Sequence, residues 1–232
     1  MRLTRLYVPD ESFAPGQSVS LSDDQSHYLL RVLRLQDGEK IAVFNAQGGA
    51  WSGILGVSGK KAAVTLEKQI QKPQPPRDIH VLVAPVKKDA WDFVLEKATE
   101  LGAAAIRPVF TDYTQNARVN DDRARANLIE ASQQCERTHV PTYHAAEKID
   151  AVLSDWERGR VLYVALERHD AKVLRDAIDR EKPAAILIGP EGGFSPRERE
   201  LLLSKEFVVP VSLGPNILRT DTAVAAALAA WL

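Results

Sequence analysis

The stretch AAILIGPEGGFSPRE, residues 184–198, decides the fold class. Its first five residues are apolar and predict a short buried strand. A glycine-rich loop follows. Ser195, Pro196 and Glu198 then supply a capping serine, a proline at the first helical position and the glutamate of a capping box. A buried strand, a tight loop and a capped helix are typical of an α/β domain built on a parallel sheet.

The same alternation extends over residues 73–232. A helix is predicted over Asp170–Arg180, and the chain closes with an alanine-rich helix over Asp221–Leu232. Further buried strands are predicted at His80–Pro85, Ala104–Phe110, Val161–Leu166 and Val208–Leu213. This pattern predicts a mostly parallel sheet with helices on both faces.

A proline-rich linker precedes that region. Three prolines within residues 73–76 remove amide donors and restrict the backbone, so regular structure is expected to stop there. We therefore divide the chain into domains 1–72 and 73–232. Short strands around one helix in the first domain predict a small β-barrel. That helix places Arg31 and Arg34 on the face of His27, which is either an RNA-binding face or an ordinary solvated one.

Composition limits the classes of function. The chain has 232 residues and a net charge of −1, so any RNA contact has to come from a local basic patch. The single cysteine, Cys135, excludes an internal disulfide and a thiolate metal cluster, and no metal is expected. We find neither an apolar run long enough to span a bilayer nor a secretory signal, so no membrane partner and a cytoplasmic location are expected.

Three loops follow predicted strands at their carboxyl ends, where open parallel sheets bind ligands. They are Leu166–His169, Gly189–Gly193 and Gly214–Arg219. Glycines in the second loop let a ligand approach the main chain. Its spacing matches neither the dinucleotide-binding nor the P-loop fingerprint, which argues against a dehydrogenase or an NTPase. Taken alone, the loop is equally consistent with an ordinary turn between strand and helix.

Two motifs together resemble one enzyme family. Ile188–Ser195, followed by Leu213–Ala223, is similar to the SPOUT class of methyltransferases, and within it to the 16S ribosomal RNA uracil-N3 methyltransferases. His27–Arg34, Lys97–Gly102 and Glu130–Arg137 agree with this family, so the resemblance covers nearly the whole chain.

The resemblance implies a fold, a cofactor and partners. The expected fold is an α/β domain with a C-terminal trefoil knot, preceded by a PUA-like barrel. The family uses S-adenosylmethionine, forms homodimers and methylates N3 of a uridine at the decoding centre of 16S rRNA, conventionally uridine 1498. Free rRNA and the assembled small subunit both stay open as substrates.

The resemblance also assigns residues. The implied cofactor contacts are Leu166, Glu167, Ile188, Gly189, Pro190, Glu191, Gly192, Gly193, Leu213, Gly214, Ile217 and Leu218. The basic residues expected to contact RNA are Arg2, Arg5, Arg31, Arg34, Lys87, Lys88, Arg118 and Arg137. Plain core packing is the alternative for the apolar cofactor residues.

Arg219 and Asp221 are the catalytic candidates. Uridine N3 must lose a proton before it attacks a methyl group, and the resulting negative charge needs a cationic partner. Arg219 is the candidate for that partner, and Asp221 is the candidate base or orienting group. By itself Asp221 is better explained as a carboxylate at a helix N-terminus. It also stands where many relatives carry glutamate, which shortens its reach by one methylene.

Two other functions stay open. One is a related SPOUT enzyme that methylates a tRNA or a ribose hydroxyl. The other is an RNA-binding assembly factor that performs no chemistry. Binding of S-adenosylmethionine separates the enzymes from the assembly factor.

Overall fold

The computed structural model describes residues 3–9, 12–115, 118–166 and 169–232. The chain divides into two compact units. The first unit comprises residues up to Pro75 together with Ser132–Val140, and the second comprises Pro76–Ala131 and Pro141–Leu232.

The first unit is a five-stranded sheet with strand order β1-β3-β4-β5-β2. β1 pairs with β3 in parallel, and the other pairs are antiparallel. Leu29, Ile41 and Leu55 lie in its buried apolar core. The elements are β1 (Arg5–Tyr7), β2 (Ser18–Ser20), α1 (Asp23–His27), a π-helical turn (Tyr28–Val32), β3 (Lys40–Asn45), β4 (Gly49–Ser58) and β5 (Lys61–Gln71).

Residues 132–140 belong to this unit because polar groups of its sheet bind them. The Arg5 guanidinium donates to the carbonyls of Glu136 and Arg137 at 3.2 and 3.1 Å. The Tyr7 amide donates to Gln133 Oε1 at 3.1 Å. These bonds join segments more than 120 positions apart, which local sequence patterns do not reveal.

The helix predicted through His27 ends earlier than expected. Regular helical structure stops at Val32, and Arg34 adopts a left-handed backbone conformation with φ of 58°. Arg31 and Arg34 are both exposed, but Arg34 lies beyond the helical segment and cannot share a helical face with His27 and Arg31. The prediction of one common face was therefore wrong.

The second unit is built on a parallel sheet with strand order β12-β10-β11-β6-β7-β8, and β9 also pairs with β7. All its described strand pairs are parallel, as the alternating pattern predicted. The strands are β6 (Ile79–Val83), β7 (Ala105–Phe110), β8 (Thr142–Tyr143), β9 (Glu147–Lys148), β10 (Val161–Ala165), β11 (Ala184–Ile188) and β12 (Val208–Val211). The helices are α2 (Lys88–Glu100), α3 (Asp121–Gln134), α4 (Ile149–Ser154), α5 (Leu174–Ala177), α6 (Pro196–Leu203) and α7 (Thr220–Ala229).

Helices cover both faces of this sheet. Leu162 and Leu187 pack in one cluster with residues of α4 and α6. Side chains alternate along a strand, so Tyr163 faces the opposite side. There its ring meets that of Trp231, which follows α7, at a centroid distance of 5.8 Å.

The helix predicted over Asp170–Arg180 was wrong in extent, because only Leu174–Ala177 is helical. Val173 forms a parallel bridge with Ser212, and Ile178 is extended with ψ of 126°. The Tyr163 hydroxyl accepts a hydrogen bond from the Asp179 amide at 2.8 Å. These tertiary partners take up backbone groups that a longer helix would use itself.

Candidate active site

Loops at the carboxyl ends of β10, β11 and β12 surround a cavity of about 700 Å³ in the second unit. Every cofactor residue predicted from the sequence lines it, apart from Glu167, which lies outside the described residues. Those lining residues are Leu166, Ile188, Gly189, Pro190, Glu191, Gly192, Gly193, Leu213, Gly214, Ile217 and Leu218. We call this the larger cavity.

The loop after β11 is a closed turn. The Gly193 amide donates to the Pro190 carbonyl at 2.8 Å. Gly193 has φ of 69°, a left-handed conformation that favours glycine. A Cβ on Gly189 would lie 3.0 Å from the Phe194 ring, so a side chain there would have to displace a buried aromatic residue. Backbone conformation at Gly193 and packing at Gly189 thus each favour glycine, independently of any ligand.

The capping box predicted after this loop is confirmed. Ser195 caps α6, its hydroxyl accepts from the Glu198 amide, and the Glu198 carboxylate accepts from the Ser195 amide. The cap fixes the point at which the chain leaves the cavity and enters the helix.

Thr220 links two of the loops, and sequence reasoning missed it. Its side chain is 3% exposed and its hydroxyl donates to the Gly189 carbonyl at 3.0 Å. The bond ties the first residue of α7 to the first residue of the β11 loop. The position of Thr220 at a predicted helix start was the only local signal for it. Other lining residues that were not predicted are Ala165, His169, Phe194, Arg199, Val211, Ser212, Pro215, Asn216 and Ala223.

A second cavity of about 470 Å³ contains both catalytic candidates. Arg219 and Asp221 line it, and Glu191 lines both cavities. The remaining lining residues are Pro85, Val86, Lys87, Ala90 and Gln115, from the segments that follow β6 and β7. We call this the smaller cavity. Neither Lys87 nor Gln115 was assigned to the catalytic centre from the sequence.

The charged groups of the smaller cavity differ in how they are held. Asp221 Oδ1 accepts from the Thr222 amide at 2.6 Å and from its hydroxyl at 3.2 Å, as expected of a carboxylate in the first turn of a helix. The exposed Arg219 precedes that helix without capping it through its side chain. Over the part of the chain that the structure describes, the side chains of Arg219 and Lys87 have no hydrogen-bond or ion-pair partner. Both cations therefore remain available to a ligand.

The predicted RNA contacts occupy different environments. Lys88 and Arg118, like Arg31 and Arg34, are exposed. Burial lowers the pKa of Arg137 to about 10. Arg5 is 9% exposed and stacks over the Phe44 ring at 5.0 Å in addition to its bonds to carbonyls, which favours a structural role. Arg2 lies outside the described residues.

The described residues form neither a metal-binding cluster nor a membrane-spanning helix. No group of three or more His, Cys, Asp or Glu side chains is placed to hold a metal ion. Nor does any described helix combine the length and apolarity needed to cross a membrane.

Comparison with known proteins matches both parts of the chain. The family model of an RNA methyltransferase domain matches residues 73–232, and that of an RNA methyltransferase PUA domain matches residues 21–67. The chain is 33% identical to the Ribosomal RNA small subunit methyltransferase E of Rickettsia conorii, over 99% of this chain and 95% of that relative. It is 30% identical to the protein of the same name from Buchnera aphidicola, with the same coverage. Its structure is similar to that of a Ribosomal RNA small subunit methyltransferase E from Neisseria gonorrhoeae bound to S-adenosyl methionine. That likeness has a TM-score of 0.86 and 30% identity, and covers 99% of this chain and 96% of the other.

Proposed function

The chain belongs to the RNA methyltransferase family, and we propose that it transfers a methyl group from S-adenosylmethionine to N3 of a uridine in 16S ribosomal RNA. One observation carries the proposal. Two cavities at the carboxyl edge of one parallel sheet share Glu191, and the catalytic candidates line the cavity in which Glu191 is the one predicted cofactor residue among the described lining residues. A methyl donor and its acceptor require two such adjoining sites.

The larger cavity fits the cofactor. Its volume of about 700 Å³ is within the usual range for small-molecule sites. The backbone of Gly189–Gly193 offers amides and carbonyls to polar edges, while Leu213 and Leu218 offer apolar surface to a ring. When bound, S-adenosylmethionine supplies an electrophilic methyl carbon on a positively charged sulfur. Glu191, which lines both cavities, would be the carboxylate between the bound cofactor and the acceptor.

The smaller cavity would take the uracil base. In-line transfer needs the base held next to Glu191, which lines both cavities. Positioning of this kind provides much of the rate acceleration. When N3 loses its proton, negative charge spreads to the two flanking carbonyl oxygens. Arg219, whose side chain has no partner among the described residues, is placed to stabilise that charge. Asp221 accepts the proton or orients the base, although its two bonds to Thr222 also suit a helix terminus.

The target is a decoding-centre uridine, conventionally uridine 1498, in free rRNA or the small subunit. An uracil that is stacked or paired has to be extruded before it can enter a cavity. The fold is a PUA-like barrel over residues 1–72 and a knotted SPOUT domain over residues 73–232, assembled as a homodimer. The PUA-domain match supports the first of these, and a ribosomal substrate favours a cytoplasmic location.

The test has a binding step and a product step. Calorimetry with S-adenosylmethionine should give saturable binding to the purified chain. Incubation with 16S rRNA, and separately with small subunits from cells lacking the gene, should yield N3-methyluridine by nucleoside mass spectrometry. A cytidine at the target position is the matched control and should abolish the product.

Each other outcome supports an alternative function. Methylation of a ribose hydroxyl or of tRNA would assign the chain to a related SPOUT activity. Absence of cofactor binding would favour the assembly factor. Persistence of N3-methyluridine at the decoding centre in cells lacking the gene would show that the proposed substrate is wrong.

A further inference from the structure

The turn after β7, Thr111–Gln115, forms one wall of the smaller cavity through Gln115. It closes on itself, because the Thr111 amide donates to Thr114 Oγ1 at 2.8 Å and the Thr114 amide donates to the Thr111 carbonyl at 3.0 Å. It also touches the loop of the larger cavity. A Cβ on Gly192 would lie 3.3 Å from Tyr113 Cβ. The position of this turn therefore affects the boundary between the two cavities.

A buried carboxylate anchors the turn to α6. Glu198 is fully buried, and its two oxygens accept backbone amides from two separate segments. Oε1 accepts from Asp112 at 2.8 Å, and Oε2 accepts from Ser195 at 2.9 Å. One side chain thus fixes the turn relative to Ser195, the capping residue of α6.

An ionic clamp adds to this anchor. The Ser195 hydroxyl donates to Asp112 Oδ2 at 2.5 Å. The Arg197 guanidinium donates to both Asp112 oxygens, at 3.2 and 3.4 Å, and to both Asp150 oxygens, at 2.6 and 3.2 Å. The bond from Ser195, followed by those from Arg197, lowers the pKa of Asp112, and Arg197 lowers that of Asp150. Both carboxylates are therefore ionised at neutral pH, and the clamp joins the turn, α6 and α4.

We propose that Glu198, Asp112 and Arg197 are positioning residues that hold the Thr111–Gln115 turn as the acceptor-side wall of the active site. The inference rests on the proposed function, because it assigns the smaller cavity to the target base. None of the three side chains lines either cavity, so none needs to touch the cofactor or the base. Their loss should misplace the acceptor and leave cofactor binding intact. A displacement of about 1 Å is enough to cost up to roughly 100-fold in rate.

The test compares Arg197→Gln with Arg175→Gln. Arg197 is exposed, so its loss should not unfold the chain, and Arg175 is an exposed arginine of the same unit outside both cavities. We expect Arg197→Gln to lower kcat by roughly 10- to 100-fold, with the Kd for S-adenosylmethionine within about twofold of wild type. Arg197→Lys should recover only part of the rate, because an ammonium lacks the planar fork that binds two carboxylates. Arg175→Gln should match the wild type in both quantities.

A second readout does not depend on activity. Amide hydrogen exchange of the peptide containing residues 111–115 should accelerate in Arg197→Gln and stay unchanged in Arg175→Gln. Unchanged exchange would overturn the inference even if the wild type proved to transfer no methyl group. Unchanged kcat in an active enzyme would also overturn it. A parallel loss of cofactor affinity and kcat would overturn it as well, since the network would then serve the whole site and not the acceptor wall.

Discussion

Replacing Thr220 by valine tests whether one part-buried hydrogen bond holds the loop Gly189–Gly193 in its binding conformation. Valine keeps the shape of threonine but removes the hydroxyl that donates to the Gly189 carbonyl at 3.0 Å. Since Thr220 is 3% exposed, water cannot readily take the place of the lost donor. Leaving the part-buried Gly189 carbonyl without this donor costs about 1–3 kcal/mol. If about 1.4 kcal/mol of this falls on the binding conformation of the loop, the cofactor Kd rises roughly tenfold.

Thr220→Ser is the matched control, because it keeps the donor and removes only a methyl group. We expect it to lower the free energy of unfolding by about 1 kcal/mol while changing the cofactor Kd by less than about twofold. Isothermal titration with S-adenosylmethionine gives the affinities, and urea unfolding gives the stabilities. The reasoning is refuted if Thr220→Val binds as tightly as the wild type, or if Thr220→Ser loses as much affinity as Thr220→Val.

Three further variants test other parts of the site and the fold. Arg219→Ala should lower kcat by about 100- to 1000-fold, as for loss of a charge-stabilising donor, and change the cofactor Kd little. Gly193→Ala should cost about 1–2 kcal/mol in backbone strain, because φ is 69°. No atom lies within 4 Å of the added Cβ, so a steric clash adds nothing to this cost. The strained loop should bind the cofactor more weakly. Burial, reinforced by Arg160, lowers the pKa of His80 from 6.5 to about 4. As the pH falls, His80 is therefore protonated in the unfolded chain before it is protonated in the folded one. The free energy of unfolding decreases as the pH falls from 6.5 toward 4, by about 2 kcal/mol at pH 5. In His80→Gln, urea unfolding at pH 7 and pH 5 should show a correspondingly smaller difference.

Controls and contrary outcomes differ among these variants. A loss of cofactor affinity in Arg219→Ala, with unchanged kcat, would make Arg219 a binding residue. Gly159→Ala carries similar strain, with φ of 91° and open space, away from both cavities. It should lower stability without changing the cofactor Kd, and an equal effect of both glycine variants on Kd would contradict a local role for Gly193. For His80→Gln, a pH dependence identical to that of the wild type would show that another group causes it.

The sequence by itself determined the elements whose signals are local. The buried strand Ala184–Ile188, the glycine loop and the capping box of Ser195 lie within 15 consecutive residues, and each depends on neighbouring hydrogen bonds or on a run of apolar side chains. The parallel sheet followed from the alternation of such units. It also follows that the predicted cofactor residues line one cavity, since parallel strands end at one edge of their sheet. Membership of the RNA methyltransferase family was likewise readable from two short motifs.

Only the tertiary structure decided which distant residues complete the site. Thr220 meets Gly189 across 31 positions, and Asp112 meets Ser195 and Glu198 across 83 and 86. Lys87 and Gln115 join Arg219 at the smaller cavity from segments that follow other strands. The helix expected over Asp170–Arg180 is short for the same reason, as Ser212 and Tyr163 bind its backbone. Side-chain identity fixes which bonds a residue is able to make. Which partner lies within reach depends on the order of the strands in the sheet, and no local sequence pattern specifies that order.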